Sequence, residues 1–239
     1  MGSAEGKVAI VTGGASLIGL ACARRFIAEG GRVVVGDRDA SLRAEVEGVL
    51  GDAGRYLTGD VTEDVYLDRL VAAASEDLGR LDCVVTATAI FDDEGYATSR
   101  ELWHRALDIN MIAAARLTSK AAPYLRDGGA VVYVASVSGS TSQPDRMVYN
   151  TTKAALLMLA KTGAQELAAD GIVDAAHGNL RMALISGESE PVEVQPGSRI
   201  GAGSVLADGF LTVRVSAVGR ETVLQQMADQ LRLSADRGV

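Results

Sequence analysis

The stretch YNTTK, residues 149–153, sets a phenol and an ammonium four positions apart, which is one helical turn and therefore one face. A phenol of ordinary acidity titrates near ~10 and is a poor base at neutral pH. A cation beside it favours the phenolate, so Tyr149 with Lys153 is a candidate acid/base for taking the proton of an alcohol while a hydride leaves for an acceptor. The same spacing occurs on many helix surfaces without any chemistry, so the pair needs company. Ser136 closes the β-rich run GAVVYVAS, residues 129–136. That is where a parallel sheet presents ligand-facing side chains, and its hydroxyl could polarise a reacting oxygen.

A second group lies near the start of the chain. TGGASLIG, residues 12–19, follows a β-rich run and opens a helical one. In that context backbone N–H groups and a helix N-terminus can hold a pyrophosphate, and Gly13 and Gly19 permit close approach. A glycine-rich turn alone is a weak signal, because tight turns need glycine for steric reasons. Asp37 strengthens it. Eighteen residues after Gly19, its carboxylate stands where it can accept hydrogen bonds from adenosine ribose hydroxyls and repel a 2′-phosphate. The expected cofactor is therefore NAD rather than NADP, with the neighbouring Arg38 pointing the other way.

These residues need a scaffold, and the pattern supplies one. KVAIVT (7–12), RVVVGD (32–37), YLTGDV (56–61), LDCVVTAT (81–88) and GAVVYVAS (129–136) read as strands, with helical stretches between them. Such alternation predicts an α/β fold, a Rossmann-like doubly wound parallel sheet with helices on both faces. The two longest predicted helices cover 101–126 and 147–170, the second closed by Gly171. After Ile172 the texture changes. FLTVRVSAV (210–218) alternates apolar and polar positions and predicts a β-hairpin; ETVLQQMADQLRL (221–233) predicts a short terminal helix packed on it. The predicted domains are 1–172 and 173–239.

Composition limits the function classes. Of 239 residues 48% are hydrophobic and 23% charged, as in a folded globular protein, and the net charge is −8. With no basic run, binding to nucleic acid or anionic lipid is not expected. No apolar stretch approaches the ~20 residues of a membrane span, and the N-terminus has no signal-peptide core, so the expected location is the cytoplasm. Cys22 and Cys83 lack metal-site spacing and are expected as packing residues; no metal is expected. His104 and His177 have no carboxylate or cysteine cluster beside them in sequence.

Together the motifs resemble the short-chain dehydrogenase/reductase family over residues 7 to about 172. The resemblance implies that Gly13, Ile18 and Gly19 hold the dinucleotide, Asp37 the adenosine ribose, and Asp60 with Val61 the adenine. It implies Tyr149 as acid/base, Lys153 on the nicotinamide ribose and favouring the phenolate, Ser136 orienting substrate, and Asn110 placing a water in the proton relay. The implied substrate is a small alcohol or ketone, and the implied assembly a homo-oligomer paired through the two long helices. Three departures stand out. Leu17 replaces the middle glycine of the family's turn. TATA, Thr86 to Ala89, replaces Asn-Asn-Ala-Gly, leaving Thr86 as the candidate for a sheet-stabilising hydrogen bond. The family's last strands and substrate lid are not recognisable after Ile172.

Over about 180–235 the chain instead resembles the later half of the actuator domain of heavy-metal P-type ATPases. Ser186 to Ser189 stand at that family's Thr-Gly-Glu-Ser loop, with Glu188 at the glutamate that aligns water against an aspartyl phosphate. The phosphorylated Asp-Lys-Thr-Gly motif is missing; AKTG at 160–163 carries Ala160 in place of the nucleophile. Glu188 is accordingly expected as a loop carboxylate, and the C-terminal part as a β-hairpin plus helix module in place of the lid.

Overall fold

The computed structural model describes residues 2–166, 169–177, 179–181, 192–196, 198–200, 205–206 and 210–218. Contacts divide the chain into two compact units, Met1–Leu159 and Ala160–Val239. The first unit carries a five-stranded sheet in the order β3-β2-β1-β4-β5. Its strands are β1 (Val8–Thr12), β2 (Arg32–Asp37), β3 (Gly54–Thr58), β4 (Leu81–Thr86) and β5 (Leu125–Tyr133), and every pairing is parallel. This is the expected Rossmann-like doubly wound sheet, with the order reversing beside β1, where α/β sheets open a ligand crevice.

The sheet forms because its strands are apolar on both faces, and the two-residue period sorts them into two cores. Val8, Ile10, Val34, Leu81 and Val84 face one side, packed with Leu67 and Leu70 of α3 (Asp64–Ala72) and Leu117 of α5 (Ala113–Ala121). Val11, Val33, Val35 and Val85 face the other, against Ala23 of α1 (Leu17–Ala28) and Val46 and Leu50 of α2 (Arg43–Leu50). Full burial of such a Val or Leu side chain stabilises by roughly 1.5–3 kcal/mol. Cys22 and Cys83 are half-buried free thiols beside the second core.

One buried carboxylate lies within the sheet. Asp82 is 8% exposed, and its Oδ2 accepts from Val8 N–H at 2.8 Å and Arg80 Nε at 2.7 Å. Burial alone would raise its pKa, but the Arg80 and Val8 hydrogen bonds outweigh that and hold the carboxyl below its usual range. Asp82 thereby ties β4 to the start of β1.

Two helical expectations need correction. The stretch 101–126 is not one α-helix: α4 (Arg100–Leu107) gives way to a π-helical turn at Asp108–Ile112, then α5, then a 3-10 turn at Ala122–Tyr124. β5 begins at Leu125, where helical period and strand composition overlap, and it ends at Tyr133, so Ser136 lies beyond the strand rather than at its last position. The last described helix, α6 (Met147–Glu166), is not closed by Gly171. Gly171 sits inside β6 (Ala169–His177), because Ile172 and Val173 pair with a distant strand.

Among its described residues the second unit holds two three-stranded sheets. In one, β6 lies between β9 (Arg199–Ile200) and β11 (Phe210–Val218), antiparallel to both. In the other, β7 (Asn179–Arg181) lies between β8 (Val192–Glu193) and β10 (Val205–Leu206). The expected local hairpin around 210–218 is therefore a long-range ribbon, Phe210 opposite His177 and Val218 opposite Ala169. The expected terminal helix at 221–233 and the loop Ser186 to Ser189, with Glu188, lie outside the described residues. No described helix is long and apolar enough to cross a membrane.

Candidate active site

The turn after β1 is built by backbone contact that leaves no room for side chains. Gly13 has φ +65, and a Cβ on it would meet Thr88 N at 2.8 Å; one on Gly19 would lie 2.2 Å from Gly13 O. Ser16 is the N-cap of α1 and makes no side-chain cap hydrogen bond. The first amides of a 12-residue helix thus carry no side-chain acceptor from that position, an arrangement suited to an anionic ligand. Around this turn opens a cleft of about 300 Å³. Gly13, Ile18, Gly19, Asp37, Asp60 and Val61 line it, and so do Tyr149 and Lys153 from α6. All eight residues singled out for a dinucleotide therefore border one cavity.

Asp37 ends β2 with its carboxylate held from two sides. Oδ2 accepts from Ala15 N–H at 3.1 Å and Oδ1 from Asp39 N–H at 3.2 Å. These bonds fix its direction at the edge of the glycine turn and leave lone pairs for further donors. Asp60 lies beyond β3, its Oδ1 accepting from both the amide and the hydroxyl of Thr62 at 2.9 Å. Neither carboxylate is consumed by an ion pair among the described residues.

Leu17 is the anomaly of the turn. It has φ +44, a region that L side chains rarely adopt, and it is 87% exposed at the cleft. A left-handed conformation costs a non-glycine residue about 1–2 kcal/mol. Leu17→Gly is expected to raise Tm by roughly 2–4 °C, some of the relief being offset by chain entropy. It should also tighten dinucleotide binding by removing a bulky side chain from the turn. Thermal denaturation with and without cofactor checks both; an unchanged or lower Tm would count against strain here.

At the far end, Tyr149 is 8% exposed and Lys153 3%. Lys153 Nζ lies 5.7 Å from the centre of the Tyr149 ring and donates to Val134 O at 2.7 Å. The ammonium therefore sits over the ring rather than hydrogen-bonded to the phenol oxygen. Burial lowers the Lys153 pKa from its ordinary value. Asn110, in the π-helical turn, is 2% exposed and bridges three elements. Its Oδ1 accepts from Ile90 N–H at 2.8 Å; its Nδ2 donates to Ile90 O and to Thr152 Oγ1, each at 3.1 Å. Thr152 in turn donates to Tyr149 O at 2.9 Å. Ser136 is not among the residues lining the cleft, although Val134 and Ala135 are. Its Oγ accepts from Ser138 N–H at 3.1 Å and caps a short 3-10 turn.

Two neighbours of Tyr149 carry no sequence signal. Asp93 Oδ2 accepts from Tyr149 N–H at 2.9 Å, satisfying an early amide of α6 from across the fold. The Phe91 ring, 60% exposed, tilts at 34° against the Tyr149 ring with centroids 4.9 Å apart. Both come from the loop after β4, and only folding brings that loop to α6. Thr152 is within reach of sequence reasoning, because it lies inside YNTTK. The expected sheet bond from Thr86 is not made: its Oγ1 is buried with no hydrogen-bond partner among the described residues.

Fold and cleft define an α/β protein with a nucleotide-sized crevice at the switch point of its sheet. Comparison with known proteins makes this specific. The family model of enoyl-(acyl carrier protein) reductases matches residues 13–174. An uncharacterized oxidoreductase of Methylorubrum extorquens is 32% identical, covering 70% of this chain and 70% of that protein. Human dehydrogenase/reductase SDR family member 4 is 37% identical over 68% of this chain and 61% of its own length. Galactitol 2-dehydrogenase of Agrobacterium fabrum is 31% identical over 70% and 66%. The crystal structure of gox2181 aligns with a TM-score of 0.63 at 28% identity, covering 67% of this chain and 66% of that one. The chain belongs to the short-chain dehydrogenase/reductase family, whose members generally bind nicotinamide cofactors. It spans 61% of the length of the human relative. A second family model, the P-type ATPase actuator domain, matches 157–232. The actuator resemblance thus starts earlier than the expected 180, and residues 157–174 fall within both matches.

Proposed function

We propose that residues 1–172 act as an NAD-dependent oxidoreductase that moves hydride between nicotinamide and a secondary alcohol or ketone, with Tyr149 as acid/base. The observation that carries this is the single cleft bordered by Asp37 at one end and by Tyr149 and Lys153 at the other. Its floor fits a dinucleotide, because side-chain-free Gly13 and Gly19 allow close approach beside the start of α1. When bound, the nicotinamide supplies the hydride acceptor. Tyr149 takes the proton from the substrate hydroxyl, and the buried Lys153 ammonium favours the phenolate and holds the nicotinamide ribose. Asn110 fixes Ile90 and, through Thr152, the backbone of Tyr149, and it positions the relay water. The role of orienting the substrate oxygen is assigned to Ser136, which follows the cleft-lining Val134 and Ala135 although its Oγ is turned to the Ser138 amide. Asp37 accepts from the adenosine ribose and repels a 2′-phosphate, while Asp60 and Val61 border the adenine.

On this reading residues 173–239 are a separate actuator-like part, the protein works in the cytoplasm, and subunits pair through the two long helical stretches, with sedimentation as the check. The test of the cofactor assignment is a fluorescence titration with NADH and NADPH. Saturable NADH binding at least tenfold tighter than NADPH is expected; equal or reversed affinities would overturn the assignment to NAD. A second reading is favoured by one observation, that the reductase match stops at 174 while the actuator match runs on to 232. The chain then binds NAD without turnover, because the segment that would shape the substrate pocket is replaced. Tight NADH binding with no activity across a broad panel of alcohols and ketones distinguishes it.

A further inference from the structure

Beside the cofactor cleft, and sharing Val61, Thr88 and Ile109 with it, lies a smaller cavity of about 10 Å³. It is formed at the ends of β1 and β4 and along the helix α5, lined by Thr12, Thr86 and Thr88 and by Ala113, Ala114 and Leu117. Its size is about that of the space swept by the centre of one water molecule. Two of its three threonines have a hydrogen-bonding deficit. The Oγ1 atoms of Thr86 and Thr88 are both buried and have no partner among the described residues. Thr86 is itself only 6% exposed. Buried hydroxyls are normally paired, by protein or by ordered water, because a desolvated and unpaired one destabilises the fold.

Thr86, the last residue of β4, and Thr88, two residues further on, both line this one pocket. We propose that this cavity is a water-binding site, in which one resident water bridges the Thr86 and Thr88 hydroxyls. The site has a place in the architecture of the cleft. Ala87, between the two threonines, donates its N–H to Thr12 O at 3.0 Å, and the backbone at Ala87 and Thr88 lies against Gly13 so closely that a Cβ there would meet it within 3.0 Å. The water therefore holds the turn that forms the cleft floor opposite the glycine loop. An apolar cavity of this size would stay dry; two unpaired hydroxyls among its lining residues make this one polar.

The test is a double-substitution cycle on the full chain, read as thermal denaturation, which does not depend on any cofactor assignment. Thr86→Val and Thr88→Val are each expected to lower Tm by about 2–4 °C, because losing one anchor releases the water and leaves the other hydroxyl unpaired. Combining them should cost no more than the worse single change, since the second substitution removes an already orphaned group. A rise in Tm for either single variant would mean a dry cavity with unsatisfied hydroxyls and would overturn the proposal. Fully additive losses would overturn it too, because each hydroxyl would then have its own protein partner. Should one variant fail to fold, a crystal structure of the unaltered chain decides: density for one water within hydrogen-bond distance of both oxygens is expected, and none would refute the site.

Discussion

Tyr149→Phe is expected to lower kcat by about 10²–10⁴-fold, the usual contribution of a positioned acid/base, while NADH affinity stays within about threefold. The asymmetry comes from the geometry. The phenylalanine ring keeps the contact with Phe91, centroids 4.9 Å apart, and the Tyr149 amide still donates to Asp93. Helix α6 keeps its place, and Lys153 stays anchored to Val134 O. Only the hydroxyl is lost, and with it the proposed acid/base. Stopped-flow and steady-state rates on an active substrate, with a parallel NADH titration, measure both quantities. Turnover equal to that of the unaltered chain would sink Tyr149 as acid/base. A matching loss of NADH affinity would instead mean that the phenol shapes the cofactor site.

Gly19→Ala is expected to weaken dinucleotide binding more than a hundredfold and to lower Tm as well. Its Cβ would lie 2.2 Å from Gly13 O, 2.8 Å from Gly13 C and 2.8 Å from Gly14 Cα. All three atoms are backbone, so no side chain can swing away to relieve the clash. The turn must open, which moves the amides at the start of α1 that would face the pyrophosphate and pushes Gly13 against Thr88. The cost of overpacking a tight site is typically about 1–3 kcal/mol, or several degrees in Tm for a chain of this size. Isothermal titration together with thermal denaturation checks it; a variant that binds NADH normally would refute a pyrophosphate seat at this turn.

The legible part of the molecule is the part whose signals are local. In β1 and β2, the apolar runs VAIV (8–11) and VVV (33–35) announce strands buried on both faces, and the turn TGGASLIG announces a close backbone approach. Asp37 at the end of β2 and the Tyr149–Lys153 pair on α6 need nothing beyond the periods of a strand and a helix. Local pattern fails where two periods compete or the partner is remote. The segment 101–126 has apolar residues that suit a helix throughout, yet the chain passes through π and 3-10 turns before entering β5 at Leu125. Ala169 and Asp170 read as the end of a helix closed by Gly171, yet they open β6, because its partner in the β6–β11 ribbon lies far along the chain.

The sequence by itself determined the sheet, the glycine turn and the identity of the groups able to exchange a proton, because each rests on residues within one or two turns of chain. Only the tertiary structure decided what surrounds those groups. It brought Asp93 to the amide of Tyr149, set Asn110 between Ile90 and Thr152, drew Lys153 to Val134 rather than to the phenol oxygen, and left the Thr86 and Thr88 hydroxyls unpaired at a shared cavity. Hydrogen bonds act over about 3 Å. Which donor meets which acceptor is therefore settled by how remote segments pack, and no periodicity along the chain encodes it.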